Sequence, residues 1–344
     1  MNFFREKFSG FGLCFIIALA SWYLGNLGKL TVIGSPVFAI LIGMTVALFI
    51  KNRQKFLPGI QFTSKYILQY AIVFLGFGLN LKTILQTGIT SLPIIVSTIS
   101  VSLLMAYFLS KVLHIESNVA TLVGIGSSVC GGSAIAASAP VLKADDEEVA
   151  QAISVIFFFN IIAALIFPAL GTLLGFPPDG YAFAVFAGTA VNDTSSVTAT
   201  AASWDSIYQL GTSTLDTAVT VKLTRTLAII PITTVLAFWR IHKEAKTNPN
   251  IDEKVHPLKV FPMFILYFLL ASLITTLFPL PTLFVGAMKL LSKFMITLAM
   301  AAIGVNTNIK KLVTTAGKPL LIGFCCWISI ISVSLIMEHV LGLL

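Results

Sequence analysis

Residues 181–203 read Tyr-Ala-Phe-Ala-Val-Phe-Ala-Gly-Thr-Ala-Val-Asn-Asp-Thr-Ser-Ser-Val-Thr-Ala-Thr-Ala-Ala-Ser. Crossing a bilayer as a helix takes about 20 residues, and this stretch has that length. Its middle nevertheless holds Asn192, Asp193, Thr194, Ser195 and Ser196. Hydrocarbon offers these groups no hydrogen-bond partner, so they must face protein or a polar cavity. A second stretch, 118–141, has the same character, with Gly126-Ser-Ser-Val-Cys-Gly-Gly-Ser133 at its centre. Gly131 and Gly132 lower helix propensity there, and Ser127, Ser128 and Ser133 are placed to satisfy freed backbone groups. Both stretches are expected to be discontinuous helices in an all-α, polytopic transmembrane bundle.

Working outward, the rest of the chain supports a membrane setting. Of 344 residues, 57% are hydrophobic and 10% charged, and the mean hydropathy is +0.95. A soluble domain carries about a quarter charged residues. Apolar runs recur throughout and predict about eleven spans, at 10–28, 35–50, 65–80, 92–113, 118–141, 150–175, 181–203, 215–240, 260–279, 284–305 and 319–343. They are expected to form one transmembrane domain, 1–344, with residues 241–259 as a cytoplasmic linker between the eighth and ninth spans. Arg5 and Lys7 precede an apolar run with no clear cleavage site, so that run is read as the first span.

The net charge of +8 does not indicate nucleic acid, because the basic residues lie in short loops. Arg5, Lys7, Lys51, Arg53, Lys55, Lys111, Arg240, Lys243, Lys246, Lys254, Lys259, Lys310, Lys311 and Lys318 fall on one side; Lys29, Lys82, Lys143 and the acidic run Asp145–Glu148 fall on the other. The rule that positive loops stay inside then places the N-terminus in the cytoplasm and Leu344 outside a bacterial inner membrane. Cys14, Cys130, Cys325 and Cys326 lie in apolar spans without metal-ligand spacing, and free thiols are expected. His114, His242, His256 and His339 have no catalytic or ligating companions, and no enzyme signature, metal site or cofactor motif is present.

Two kinds of internal repetition stand out. Leu75-Gly-Phe-Gly-Leu-Asn-Leu aligns without gaps to Ala301-Ala-Ile-Gly-Val-Asn-Thr, matching Gly78 to Gly304 and Asn80 to Asn306, and Pro93 falls in register with Pro319. The expected topology puts the two copies on opposite sides, which is an inverted repeat of the kind secondary transporters carry. The stretches around Gly126 and Gly188 also resemble each other, with Val129, Ser133 and Ala137 matching Val191, Ser195 and Ala199. These two spans run parallel in the expected topology. Either one is re-entrant or the likeness reflects small-residue composition.

The candidate site gathers around the two interruptions. Unwound helices at mid-membrane expose N–H groups that favour an anion and carbonyls that favour a cation. Ser128, Cys130, Gly131, Gly132 and Ser133 on one segment, and Asn192, Thr194, Ser195 and Ser196 on the other, are candidate substrate contacts. The competing reading is close helix packing through small residues. Asp193 is the clearest intramembrane acid and a candidate coupling group for a proton or sodium ion. Lys222 and Arg225 on the next span would pair with Asp193 as a structural ion pair, or hold an anionic substrate. Asn80, Asn160 and Asn306 are candidate supporting residues, with helix capping as the alternative for Asn80 and Asn306. Lys289 and Lys293, four apart on one helix face, are expected to snorkel toward an interface.

With these residues in view, the chain resembles the candidate sulfate exporter family of bacterial multi-pass membrane proteins over nearly its whole length. The resemblance rests on Phe74-Leu-Gly-Phe-Gly-Leu-Asn80, Gly124-Ile-Gly-Ser-Ser-Val-Cys-Gly-Gly-Ser-Ala-Ile135, Asp145-Asp-Glu147, and Gly188 with Val191-Asn-Asp-Thr-Ser195. Two parts are also similar to bile-acid:sodium symporters, and that likeness implies crossing discontinuous helices beside a separate panel domain. The segment order differs here, since 192–196 precedes the second Gly-x-Asn copy. The expectation is a secondary transporter exporting a small anion, sulfate or a related sulfur oxyanion, by alternating access. The bilayer and that anion are the expected partners, and a homo-oligomer is compatible with this reading. An anion channel, or a membrane sensor that binds without transport, would use the same polar midplane.

Overall fold

A computed structural model describes residues 2–25, 35–50, 53–229, 231–236, 263–278, 280–307 and 317–344. The expected linker 241–259 lies outside the described residues. What is described is all-helical: α1 (Asn2–Gly25), α2 (Ser35–Phe49), α3 (Leu57–Phe62), continuing through a π turn at Thr63–Ile67 into α4 (Leu68–Gly76), α5 (Leu81–Leu113), α6 (Ser117–Ser128), α7 (Gly132–Leu142), α8 (Asp146–Leu173), α9 (Tyr181–Ala190), α10 (Thr194–Tyr208), α11 (Ser213–Thr226), α12 (Met263–Leu277), α13 (Thr282–Asn306) and α14 (Pro319–Val340). Among the described residues, six helical stretches are long and apolar enough to cross a membrane, and the shorter α2, α7, α9 and α12 are also apolar. The chain is a membrane protein with several apolar helices.

Local signals set many of the boundaries. Asn80 caps α5 by accepting from the Lys82 N–H at 2.8 Å. The helix therefore starts well before the expected 92 and runs through Pro93, which neighbouring groups make tolerable in a membrane helix. The acidic run after Lys143 is a capping box. Asp145 Oδ1 accepts from the Glu148 N–H at 2.8 Å, and Glu148 Oε2 accepts from the Asp145 N–H at 2.9 Å, with negative charge at the positive end of α8.

The helices fall into two groups. One packs α1, α2, α3, α4, α12 and α13 together; the other packs α5 to α11 with α14. They meet where α10 lies against α2 and α13 and where α5 meets α12. An apolar core runs through both groups, with Ile40, Leu75 and Val305 on one side and Phe167, Phe186 and Trp204 on the other. In the first group glycines bring backbones into contact. A Cβ on Gly43 of α2 would sit 2.6 Å from the Ala301 carbonyl oxygen and 2.9 Å from the Val305 nitrogen of α13. Gly304 faces the same crossing, where a Cβ would run into the Ile40 carbonyl. The second Gly-x-Asn copy thus has a packing use. Gly78 of the first copy instead faces the Lys289 side chain.

Gly43→Ala should force α2 and α13 apart and cost about 1–3 kcal/mol, read as a lower melting temperature in detergent. Gly12→Ala, on an α1 position with nothing within 4 Å of the new methyl, should leave melting unchanged or raise it slightly.

Candidate functional site

The helical hydrogen bonding is interrupted at both of the stretches singled out by sequence. α6 ends at Ser128, and Val129 to Gly131 separate it from α7, which begins at Gly132. α9 ends at Ala190, and Val191 to Asp193 separate it from α10, which begins at Thr194. Gly131 has φ +69°, a conformation that costs an L side chain but not glycine. A Cβ there would lie 3.3 Å from the Asp193 Cβ and 3.6 Å from the Asn160 Nδ2. The two interruptions therefore adjoin each other, with Asn160 of α8 beside them.

A helix end leaves its last carbonyls without intrahelical partners, and burying them unsatisfied is costly. Here two cations from α11 supply the partners. Lys222 Nζ donates to the Val129 carbonyl at 2.6 Å and the Val191 carbonyl at 3.0 Å. Arg225 donates from Nε to Ser128 O at 2.7 Å, from Nη2 to Ser127 O at 2.8 Å and from Nη1 to Thr189 O at 2.5 Å. Both cations are fully buried. Lys222 and Arg225 lie three apart on one helix, so their side chains share a face. Together they join the carbonyl ends of α6 and α9. Positive charge at a helix C-terminus also complements the macrodipole.

The opposite ends are arranged differently. Asp193 caps α10, accepting from the Ser195 N–H at 3.1 Å and from the Ser195 hydroxyl. At α7 the N-cap residue is Gly131, which provides no side-chain cap. The Ser133 hydroxyl turns back to the Cys130 carbonyl at 3.0 Å and the Cys130 sulfur at 2.9 Å. Asn160 Oδ1 accepts from the Asn192 N–H at 3.3 Å, which fixes its amide orientation. The Asn160 Nδ2 donor and the Asn192 Oδ1 acceptor are then buried without a partner. Two orphaned amide atoms, one donor and one acceptor, therefore lie beside two helix starts with unused hydrogen-bonding capacity.

The structure thus brings together Gly131, Asn160, Asn192, Asp193, Ser195, Lys222 and Arg225. Ser128 takes part through its carbonyl, while its hydroxyl bonds to Ile125 O at 3.0 Å. Cys130 and Ser196 are buried, Gly132 and Thr194 half-buried, and Ser133 exposed. The hydrogen bonds of Lys222 and Arg225 given above go to main-chain carbonyls, with Asp193 near enough to Lys222 to interact with it through space; Lys289 and Asp216 form an ion pair at 2.8 Å. Asn80 caps α5, and Asn306 is exposed at the end of α13. Cys14, Cys130, Cys325 and Cys326 are free thiols.

Sequence reasoning missed Thr189, Ser334 and Glu338. The Thr189 and Ser334 hydroxyls are 2.7 Å apart, and Ser334 donates to the fully buried Glu338 at 3.2 Å. A polar chain therefore runs from α14 to the residue whose carbonyl Arg225 holds. A lone acid in the apolar 319–343 stretch was the available signal.

These features define a class: a helical membrane protein whose polar centre lies at two adjoining helix interruptions, held by two buried cations. The chain belongs to the family described as Conserved hypothetical protein 698, whose model matches residues 9–323. It is 58% identical over 341 residues to a UPF0324 membrane protein of Streptococcus mutans, covering 98% of each chain. It is 54% identical over 354 residues to a UPF0324 membrane protein of Fusobacterium nucleatum, covering 98% of this chain and 99% of the relative.

Arg225→Lys should not behave as a conservative change, because an ammonium cannot span the carbonyls that the guanidinium fork reaches. Each carbonyl left orphaned costs about 1–3 kcal/mol. Thermal unfolding in detergent should show a large drop for Arg225→Lys, and a much smaller one for Lys111→Arg on an exposed turn.

Proposed function

We propose that this protein is a secondary active transporter that exports a small anion by alternating access, with sulfate or a related sulfur oxyanion as the first candidate. The observation that carries this reading is the orphaned Asn160 Nδ2 donor at the uncapped start of α7, with Lys222 and Arg225 behind it. Helix starts favour anions, and buried positive charge raises the local potential. In this reading α6 with α7, and α9 with α10, are each one discontinuous span within a bundle of about eleven. The Gly-x-Asn segments belong to an inverted repeat.

The anion sits between the two interruptions. N–H groups of Gly132 and Ser133 and the Asn160 amide hold its oxygens, with the Thr194 and Ser196 hydroxyls opposite. Lys222 and Arg225 balance its charge mainly through space, since their hydrogen bonds are to the carbonyl ends. Asp193, next to Gly131, exchanges a proton or sodium ion and so couples anion movement to a gradient. Alternating access follows from the first helix group moving against the second.

Labelled sulfate counterflow in sealed proteoliposomes tests this. Wild type should show saturable uptake that Asp193→Asn abolishes and that a pH or sodium gradient drives uphill. Flux that neither saturates nor responds to a gradient would indicate a channel instead. An absence of counterflow with every sulfur oxyanion and small carboxylate tried, in folded protein, would refute the transport reading.

A further inference from the structure

α14 is an apolar helix with one acid, Glu338, in its last turn. Glu338 is fully buried. Beyond it the chain turns back at Gly342, which has φ +68°, so that the Leu343 N–H bonds to the Glu338 carbonyl at 2.9 Å. Met337 and Leu343 pack there on Ile94, Ile95, Val185 and Val221. The acid thus sits within one turn of the helix end, closed in by apolar side chains. Its Oε1 accepts from the Ser334 hydroxyl at 3.2 Å, while Oε2 is buried without a partner. A carboxyl group in such a place needs either a cation or a proton. No cation reaches it among the described residues. α5, α6, α8 and α9 pack against α14. α6 has no titratable side chain, and Lys82, Tyr107 and Lys111 of α5, Tyr181 of α9 and His339 of α14 itself are exposed. The acids of α8 are in its first turn, and α8 meets α14 around Gly323, at the other end. Cys325 and Cys326 lie about three turns away along α14. Arg225 stops at the Thr189 carbonyl.

A proton fits the hydrogen-bond chain that starts at this acid. The Ser334 and Thr189 hydroxyls are 2.7 Å apart, with either able to donate, and Thr189 also reaches the Val185 carbonyl at 2.7 Å. With a proton on Glu338, its hydroxyl donates to Ser334, Ser334 to Thr189, and Thr189 to the Val185 carbonyl. Without it, Ser334 donates to the carboxylate and Thr189 turns to Ser334. The Val185 carbonyl then loses its extra donor. A threonine bonded to the carbonyl four residues back bends its helix, and here that bond spans the last turn of α9, whose end Arg225 holds. We propose that Glu338 is a proton-binding site, and that its state is passed through Ser334 and Thr189 to the last turn of α9. Proton occupancy then biases how α9 ends at the polar centre. In the transport reading Glu338 is a proton carrier additional to Asp193. That use rests on the transport reading; the proton site does not.

Infrared difference spectroscopy on the full-length protein in lipid vesicles reads the acid directly, because a protonated carboxyl group has a C=O stretch that a carboxylate lacks. At neutral pH the wild type should show such a stretch, lost completely in Glu338→Gln and lost reversibly in wild type as the pH is raised. Ser334→Ala should shift its frequency by removing the hydroxyl partner, and Thr189→Val should shift it less, through Ser334. If Glu338→Gln fails to fold, the Ser334→Ala shift makes the assignment. A neutral-pH spectrum from which Glu338→Gln removes no such stretch would overturn the proton site. A stretch that Glu338→Gln removes but that neither Ser334→Ala nor Thr189→Val moves would overturn the relay to α9. The stretch in a wild-type protein that shows no counterflow would sink the transport reading and leave the proton site standing.

Discussion

Buried helix ends with nowhere else to put their carbonyls are the constraint on which the polar centre depends. α6 and α9 both stop inside the protein, and a stopped helix in a low-dielectric interior must find donors for its last carbonyls. Lys222 and Arg225 supply five hydrogen bonds to Ser127, Ser128, Val129, Thr189 and Val191. The cations need the carbonyls as much as the carbonyls need the cations. A buried charge without partners costs several kcal/mol, and two bare cations three residues apart would also repel each other. Each side of the arrangement removes the penalty of the other.

From that joint the rest of the centre follows. Fixing the C-terminal ends of α6 and α9 with one face of α11 sets the two interruptions side by side. Gly131 then lies against Asp193, where any Cβ would be crowded. With the cations committed to the carbonyl ends, the starts of α7 and α10 are left to other partners. Asp193 serves α10, while α7 has none from its own cap. The asymmetry leaves one helix start and one asparagine donor unspent, and a site is defined by what remains unspent.

Much of this was legible in the sequence. Gly131-Gly132 and Asn192–Ser196 are too polar and too poor in helix formers for lipid-facing structure, and the helices do stop there. The Gly-x-Asn copies suggest a repeat in the sequence, but the packing of Gly304 against α2 at Ile40 and Gly43 has no local signal there. The partners of Lys222 and Arg225 were not legible. A carbonyl belongs to every residue, so it leaves no mark in the sequence, and a search for counter-charges pointed to Asp193. Spacing alone suggests that Lys289 and Lys293 snorkel, because the pairing of Lys289 with Asp216 spans 73 positions, beyond any local pattern. Glu338 is a lone acid within an apolar run, and no local motif marks its partner Ser334. The extent of α5 was obscured by Pro93, which reads as a boundary in sequence but lies inside a helix capped by Asn80.

The polar centre requires that one face of α11 hold both interruptions at once. Hydrogen–deuterium exchange on Lys222→Met in detergent tests this directly. The lysine touches one carbonyl in each interruption, so exchange should rise together in segments 126–135 and 188–197 and stay unchanged in α2. A rise in one segment alone, or in neither, would contradict the shared joint and with it the placement of the site.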